Sequence, residues 1–199
     1  MLRQLLFVSA AIGALSVGAC NKPANDTKGA ATPSEQAAVP DAHPAATVPT
    51  PANEALAKEF VPKAMASDMF EIAAAKVAEK RSTNPEVKKF ARMMVTDHTK
   101  SSAALKKAIS DSSQTIAAPT IIPQDLQAKL DYLINANGPT SFEKKYMSGQ
   151  VDAHQDALNL LQRFAQDGDV PAIKAFAAAT APVVQSHLDQ AKALRDALK

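Results

Sequence analysis

The chain has 199 residues and a formal net charge of +2, its 22 Lys and Arg scattered among 20 Asp and Glu without a basic stripe, which argues against nucleic acid as a partner. It is alanine-rich, with 6 glycines, no tryptophan and no sustained alternation of β-branched residues, so a β-rich domain is excluded. Its single cysteine, Cys20, cannot form a disulfide within the chain.

Residues 1–19 read as a secretory signal. Arg3 precedes an apolar run from Leu5 to Val17, and small residues then lead to Cys20. The run is too short to span a bilayer comfortably and is closed by a processing site rather than a stop-transfer charge cluster. Val17-Gly18-Ala19-Cys20 resembles a bacterial lipobox, in which Cys20 becomes the acylated first residue of the mature chain. Asn21 in the next position resembles a signal for the outer membrane, giving a lipoprotein facing the periplasm. Plain cleavage after Ala19, releasing a soluble periplasmic or secreted protein, is the alternative. Residues 20–52 are rich in Pro, Ala and Thr and carry almost no large apolar side chains, which predicts a disordered tether. A coil of that length spans roughly 30 Å, enough to clear lipid headgroups. His43 falls in this tether.

The remainder, residues 53–199, is expected to form one all-α domain. Helices are predicted near 62–82, 85–111, 140–166 and 170–198, with a shorter one near 123–136. Asn84-Pro85 reads as a helix cap followed by proline in the first turn, and Asp169-Val170-Pro171 marks a similar start after Asp167-Gly168. P-x-(V/I)-K-x-F-A opens at both Pro85 and Pro171, and F-x-x-K-x-M at both Phe60 and Phe142. Two related helical hairpins, joined by a crossover carrying the short helix, would bury their apolar faces against each other as a four-helix bundle.

Three segments share a second frame: VTDHTKSSAAL from Val95, VDAHQDALNLL from Val151 and VQSHLDQAKAL from Val184. Helical projection places His98, His154 and His187 inside the apolar arcs of their helices. At ~1.5 Å per residue the three come within about two turns of one level. The first helix has no histidine; Asp68 and Glu71 lie at a similar depth, beside Met65 and Met69, which read as core filler.

Three readings follow. One is a mononuclear transition-metal site of His98, His154 and His187 with Glu71 as the fourth ligand, suited to zinc, copper or iron, and with Asp68, Asp97 and Asp152 as carboxylates supporting the imidazoles. Another is structural, with buried histidines hydrogen-bonded to each other or to backbone. The third is a core that loosens when protonated near pH 6. A di-iron centre is not expected, because Glu-x-x-His is replaced by Val95, Val151 and Val184 three residues before each histidine. No nucleophile elbow, phosphate loop, HExxH pair or dinucleotide fingerprint points to catalysis.

The succession FEIAAAKVA, NPEVKKFARMMVTDH, FEKKYMSGQVDAHQDALNLLQRFAQDGD and IKAFAAATAPVVQSHLDQAKAL resembles the DUF4142 family over residues 60–194. Glu71, Asp97, His98, His154 and His187 stand at that family's polar motif positions, and Ala181-Pro182 where leucine-proline is common. The resemblance implies a ferritin-like four-helix bundle in the bacterial envelope and carries no established activity. The expected function is therefore that of a non-enzymatic, lipid-anchored envelope protein with a role in envelope maintenance or stress response, acting on a partner the sequence does not name. A metal-binding protein is the competing expectation.

Overall fold

The computed structural model describes residues 55–198. The signal, Cys20, the tether and His43 lie outside the described residues. Five helices and no strand occur among them: α1 (Ala57–Arg81), α2 (Pro85–Asp111), α3 (Gln124–Ile134), α4 (Gly138–Asp167) and α5 (Pro171–Ala197). The four long helices form a ferritin-like bundle of two hairpins, α1–α2 and α4–α5, with α3 in the crossover. No described helix is long and apolar enough to cross a membrane.

Local chemistry fixes the helix ends. Asn84 caps α2 as expected, its Oδ1 accepting from the backbone N–H groups of Glu86 (2.9 Å) and Val87 (3.3 Å), with Pro85 in the first turn. The second cap departs from expectation. Pro171 opens α5, but the Asp169 side chain does not cap that helix. It accepts instead from Ala57 N at 2.8 Å, while Asp169 N donates to Ala55 O. That remote cap extends α1 towards the N-terminus beyond the start predicted from local signals, enclosing Pro62 within the helix. Pro182 is likewise carried inside α5, on its exposed face.

The same bond fixes direction. It places the start of α1 beside the α4–α5 turn, while Glu143, near the start of α4, is bonded to the α1–α2 turn. Helices α1 and α5 therefore run one way and α2 and α4 the other. Within each hairpin the helices pack together; α2 against α5 and α1 against α4 close the ring. This is the up-down-down-up order that requires one long crossover.

Aromatic layers set the height of the helices at both ends. Phe60 stacks on Phe164 with ring centroids 4.1 Å apart and meets Phe176 edge-on. At the other end Phe142 stacks on Tyr146, which meets Phe90 edge-on. Burying each phenylalanine contributes about 1.5–3 kcal/mol, and well-oriented ring pairs add about 0.5–1.5 kcal/mol. The histidines occupy the level between these layers.

Two polar clamps hold the crossover end. Arg81 donates to the carbonyls of Leu133, Ile134 and Ala136 at the end of α3, its guanidinium 4.8 Å from the Phe142 ring centroid. Oε1 of the buried Glu143 accepts from the Ser82 hydroxyl and Thr83 N, both at 2.7 Å, and from Asn84 N at 2.9 Å. Burial alone would raise the Glu143 carboxyl, but these donors outweigh it and hold the carboxyl below its usual range.

Candidate metal centre

His98 on α2, His154 on α4 and His187 on α5 converge in the bundle interior, exposed by 5%, 1% and 3%. Ring centroids are 5.5 Å apart for His98–His154, 5.8 Å for His98–His187 and 5.4 Å for His154–His187. Each ring offers one nitrogen within 4.8 Å of the other two. One histidine comes from the first hairpin and two from the second.

Every imidazole has one nitrogen committed and the other without a hydrogen-bond partner among the described residues. His98 Nδ1 lies 2.8 Å from Asp68 Oδ1, and Asp68 Oδ2 accepts from the Ser102 hydroxyl. His187 Nε2 lies 3.1 Å from Asp97 Oδ2, and His154 Nδ1 lies 2.9 Å from the Gln150 carbonyl. A carbonyl only accepts, so His154 Nδ1 carries the hydrogen and its Nε2 is a bare lone pair. The carboxylates assign His98 and His187 in the same sense when neutral. Nε2 of His98, Nε2 of His154 and Nδ1 of His187 are left without partners. Fixing one nitrogen of each ring by hydrogen bonding is how metal-binding histidines are oriented.

The dimensions fit an ion. Bonds of ~2.0–2.1 Å to three nitrogens in tetrahedral or trigonal array need those atoms about 3.3–3.6 Å apart, so the rings must draw in by roughly 1 Å.

Glu71, 1% exposed, faces the same interior. Its Oε2 accepts from the Gln150 side-chain amide at 2.6 Å, while its Oε1, the Gln150 Oε1 and the Tyr146 hydroxyl have no partner. Asp68 and Asp97 both support imidazoles, Asp97 across the bundle to His187 rather than to its sequence neighbour His98. Asp152 corrects an expectation: it is exposed and lines an outer groove, because on α4 it projects about 200° around the helix from His154. Gln150 and Ser102 were missed, although each lies one turn from a histidine on the same face.

Charge is distributed unevenly. Burial, aided by the charge on His98, lowers His154 to about 4. Burial, then His154 and His98, lower His187 to about 4 against the pull of Asp97. Burial also opposes charge on His98, but the Asp68 hydrogen bond and the charges of Glu71, Asp68 and Asp97 prevail and raise it. Burial raises the Glu71 carboxyl against the influence of His98 and Gln150.

A pH dependence follows for the metal-free protein. Unfolded, His154 and His187 take up protons near 6.5; folded, they do so only near 4. Between those values the unfolded chain holds more protons, so stability is present above 6.5 and is lost as pH falls. The raised His98 contribution is complete below 6.5 and constant across this window. Glu71, raised from 4.5, acts in the opposite sense, one carboxyl against two imidazoles. At about 1.4 kcal/mol per pH unit, each of the two lowered imidazoles loses on the order of 3 kcal/mol by pH 4, which the Glu71 carboxyl offsets in part. Thermal melts from pH 7 to 4 would show a falling midpoint; a flat or rising one contradicts this charge assignment.

The family described as a domain of unknown function, DUF4142, matches residues 42–194. The chain belongs to the DUF4142 family. No curated protein matches it. Two solved chains share the fold of this DUF4142 protein. CopM in the Cu(II)-bound form is 17% identical at TM-score 0.61, over 72% of this chain and 98% of that one. CopM in an Ag-bound form, by co-crystallization, is 17% identical at TM-score 0.55, over 69% and 93%. At this identity the likeness concerns the fold alone.

Proposed function

We propose that this protein binds one transition-metal ion through His98, His154 and His187, with Glu71 as the fourth ligand. The observation that carries the reading is that three buried imidazoles each offer a nitrogen within 4.8 Å of the other two, and each ring has one nitrogen fixed and one without a partner. A purely structural set would leave three ring nitrogens without a protein partner in the bundle interior, at about 1–3 kcal/mol for each group left unsatisfied. Imidazole ligands suit copper, zinc and iron. The copper- and silver-bound forms of CopM, a chain of the same fold, support a soft or borderline ion.

Glu71 is buried in the same interior and its Oε1 has no partner, which supports it as fourth ligand, with its carboxylate moving in from outside the 4.8 Å set of the three imidazoles. Burial of the whole set favours holding an ion over turning over a substrate. The setting we propose is the cell envelope, with the bundle tethered through acylated Cys20 to the outer membrane and facing the periplasm, in envelope maintenance or stress response. The lipobox and the composition of the tether support that placement.

Elemental analysis of untagged protein is expected to find about one ion per chain, lost in His98→Ala and His187→Ala. An ion present at ~100-fold over its dissociation constant stabilises the folded state by about 2.7 kcal/mol. For a domain of this size that raises the melting temperature by roughly 5–10 °C. Metal-free protein whose melting is unmoved by zinc, copper and iron would end the proposal.

A further inference from the structure

The imidazoles lie beneath the side chains of four helices, so an ion needs a way in. Two hollows approach them. A groove of about 1290 Å³ lies between α3 and the α1–α4 seam, with Gln150 and Tyr146 in its lining. A smaller cavity of about 40 Å³ is lined by His98, His187, Asp68 and Asp97. Since about 10–15 Å³ admits one water, the small cavity has room for two or three.

Ser67, Ala157 and Leu160 line both hollows. All three are half-buried, so the wall between groove and cavity is one side chain thick. Two of the three are small, and Ser67 brings a hydroxyl that can replace a water shed by a passing ion. The carboxylates of Asp68 and Asp97 line the small cavity together with His98 and His187.

We propose that a metal cation reaches the histidines from the groove, crossing the α1–α4 seam between Ser67, Ala157 and Leu160 and pausing in the small cavity beside Asp68 and Asp97. This rests on the metal-binding reading above. The competing route crosses the α2–α5 seam, where Thr180 and Val183 line the same cavity and Val183 is 44% exposed. That seam meets no comparable groove, and the Thr180 hydroxyl is committed to the Phe176 carbonyl at 2.8 Å.

Cu(II) uptake by the full chain can be followed by quenching of tyrosine fluorescence, since the protein has 2 tyrosines and no tryptophan. Ala157→Leu thickens the wall without touching a ligand. It is expected to slow uptake at least ~10-fold while the equilibrium dissociation constant, from chelator competition, stays within about threefold. Leu160→Ala thins the wall and is expected to speed uptake several-fold, which keeps the test decisive if the larger side chain disturbs packing. Thr180→Leu, at the other seam, is expected to leave the rate unchanged. Wild-type rates in both wall variants, or slowing by Thr180→Leu alone, would overturn the route while leaving metal binding intact. Failure of the wild-type chain to bind Cu(II), Zn(II) and Fe(II) would overturn the metal reading itself.

Discussion

Replacing His154 with leucine is expected to leave the metal-free bundle as stable as the wild type or up to about 2 kcal/mol more stable, while abolishing stabilisation by metal. His154 is 1% exposed, and its Nε2 has no partner. Its Nδ1 bonds the Gln150 carbonyl, which lies one helical turn back, where the backbone N–H of residue 154 already points. Leucine has similar bulk, removes an unpartnered lone pair from the bundle interior and leaves no donor stranded. His98→Leu should behave differently. It strips the buried Asp68 carboxylate of its closest partner, and breaking such a pair costs about 3–5 kcal/mol. Urea melts of both variants, with and without zinc or copper, separate the cases. A loss of several kcal/mol in metal-free His154→Leu would mean that the ring is there for packing, and the metal reading would lose its main support.

Glu143→Ala is expected to destabilise the fold by about 3–5 kcal/mol while leaving metal affinity unchanged. One carboxylate oxygen satisfies two backbone N–H groups and the buried Ser82 hydroxyl in the α1–α2 turn. Hydrogen bonds to a charged acceptor are worth about 1.5–3 kcal/mol each, and their removal strands donors away from water. Glu143→Gln keeps an acceptor oxygen but not the charge, so roughly half of the loss should remain. Equilibrium urea unfolding would measure both. A change below about 1 kcal/mol for alanine would show that water reaches the turn and replaces the carboxylate.

What could be read before the structure was what depends on one helix at a time. The inward positions of His98, His154 and His187 follow from periodicity, and their common level from counting residues along each helix. Asn84 as a cap is local chemistry in the same sense. Interactions between distant segments were hidden. Asp169 looks like the cap of α5 in sequence, yet its carboxylate closes α1, a choice made only when the two hairpins meet. Glu143 carries no recognisable signal because its partners are backbone donors in another turn. Asp97 and Asp152 each lie close to a histidine in sequence, but only Asp97 faces a neighbouring helix that presents one. The direction of the second hairpin relative to the first was equally out of reach, since a crossover of that length permits either.

Because His98 belongs to the first hairpin and His154 and His187 to the second, an ion seated among them would act as a clasp between two otherwise separable pieces of chain. Parting the pieces would mean surrendering the ion, so the slowest event in the life of the loaded molecule should be the loss of its cargo, and the tightness of grip and the durability of the protein become one property.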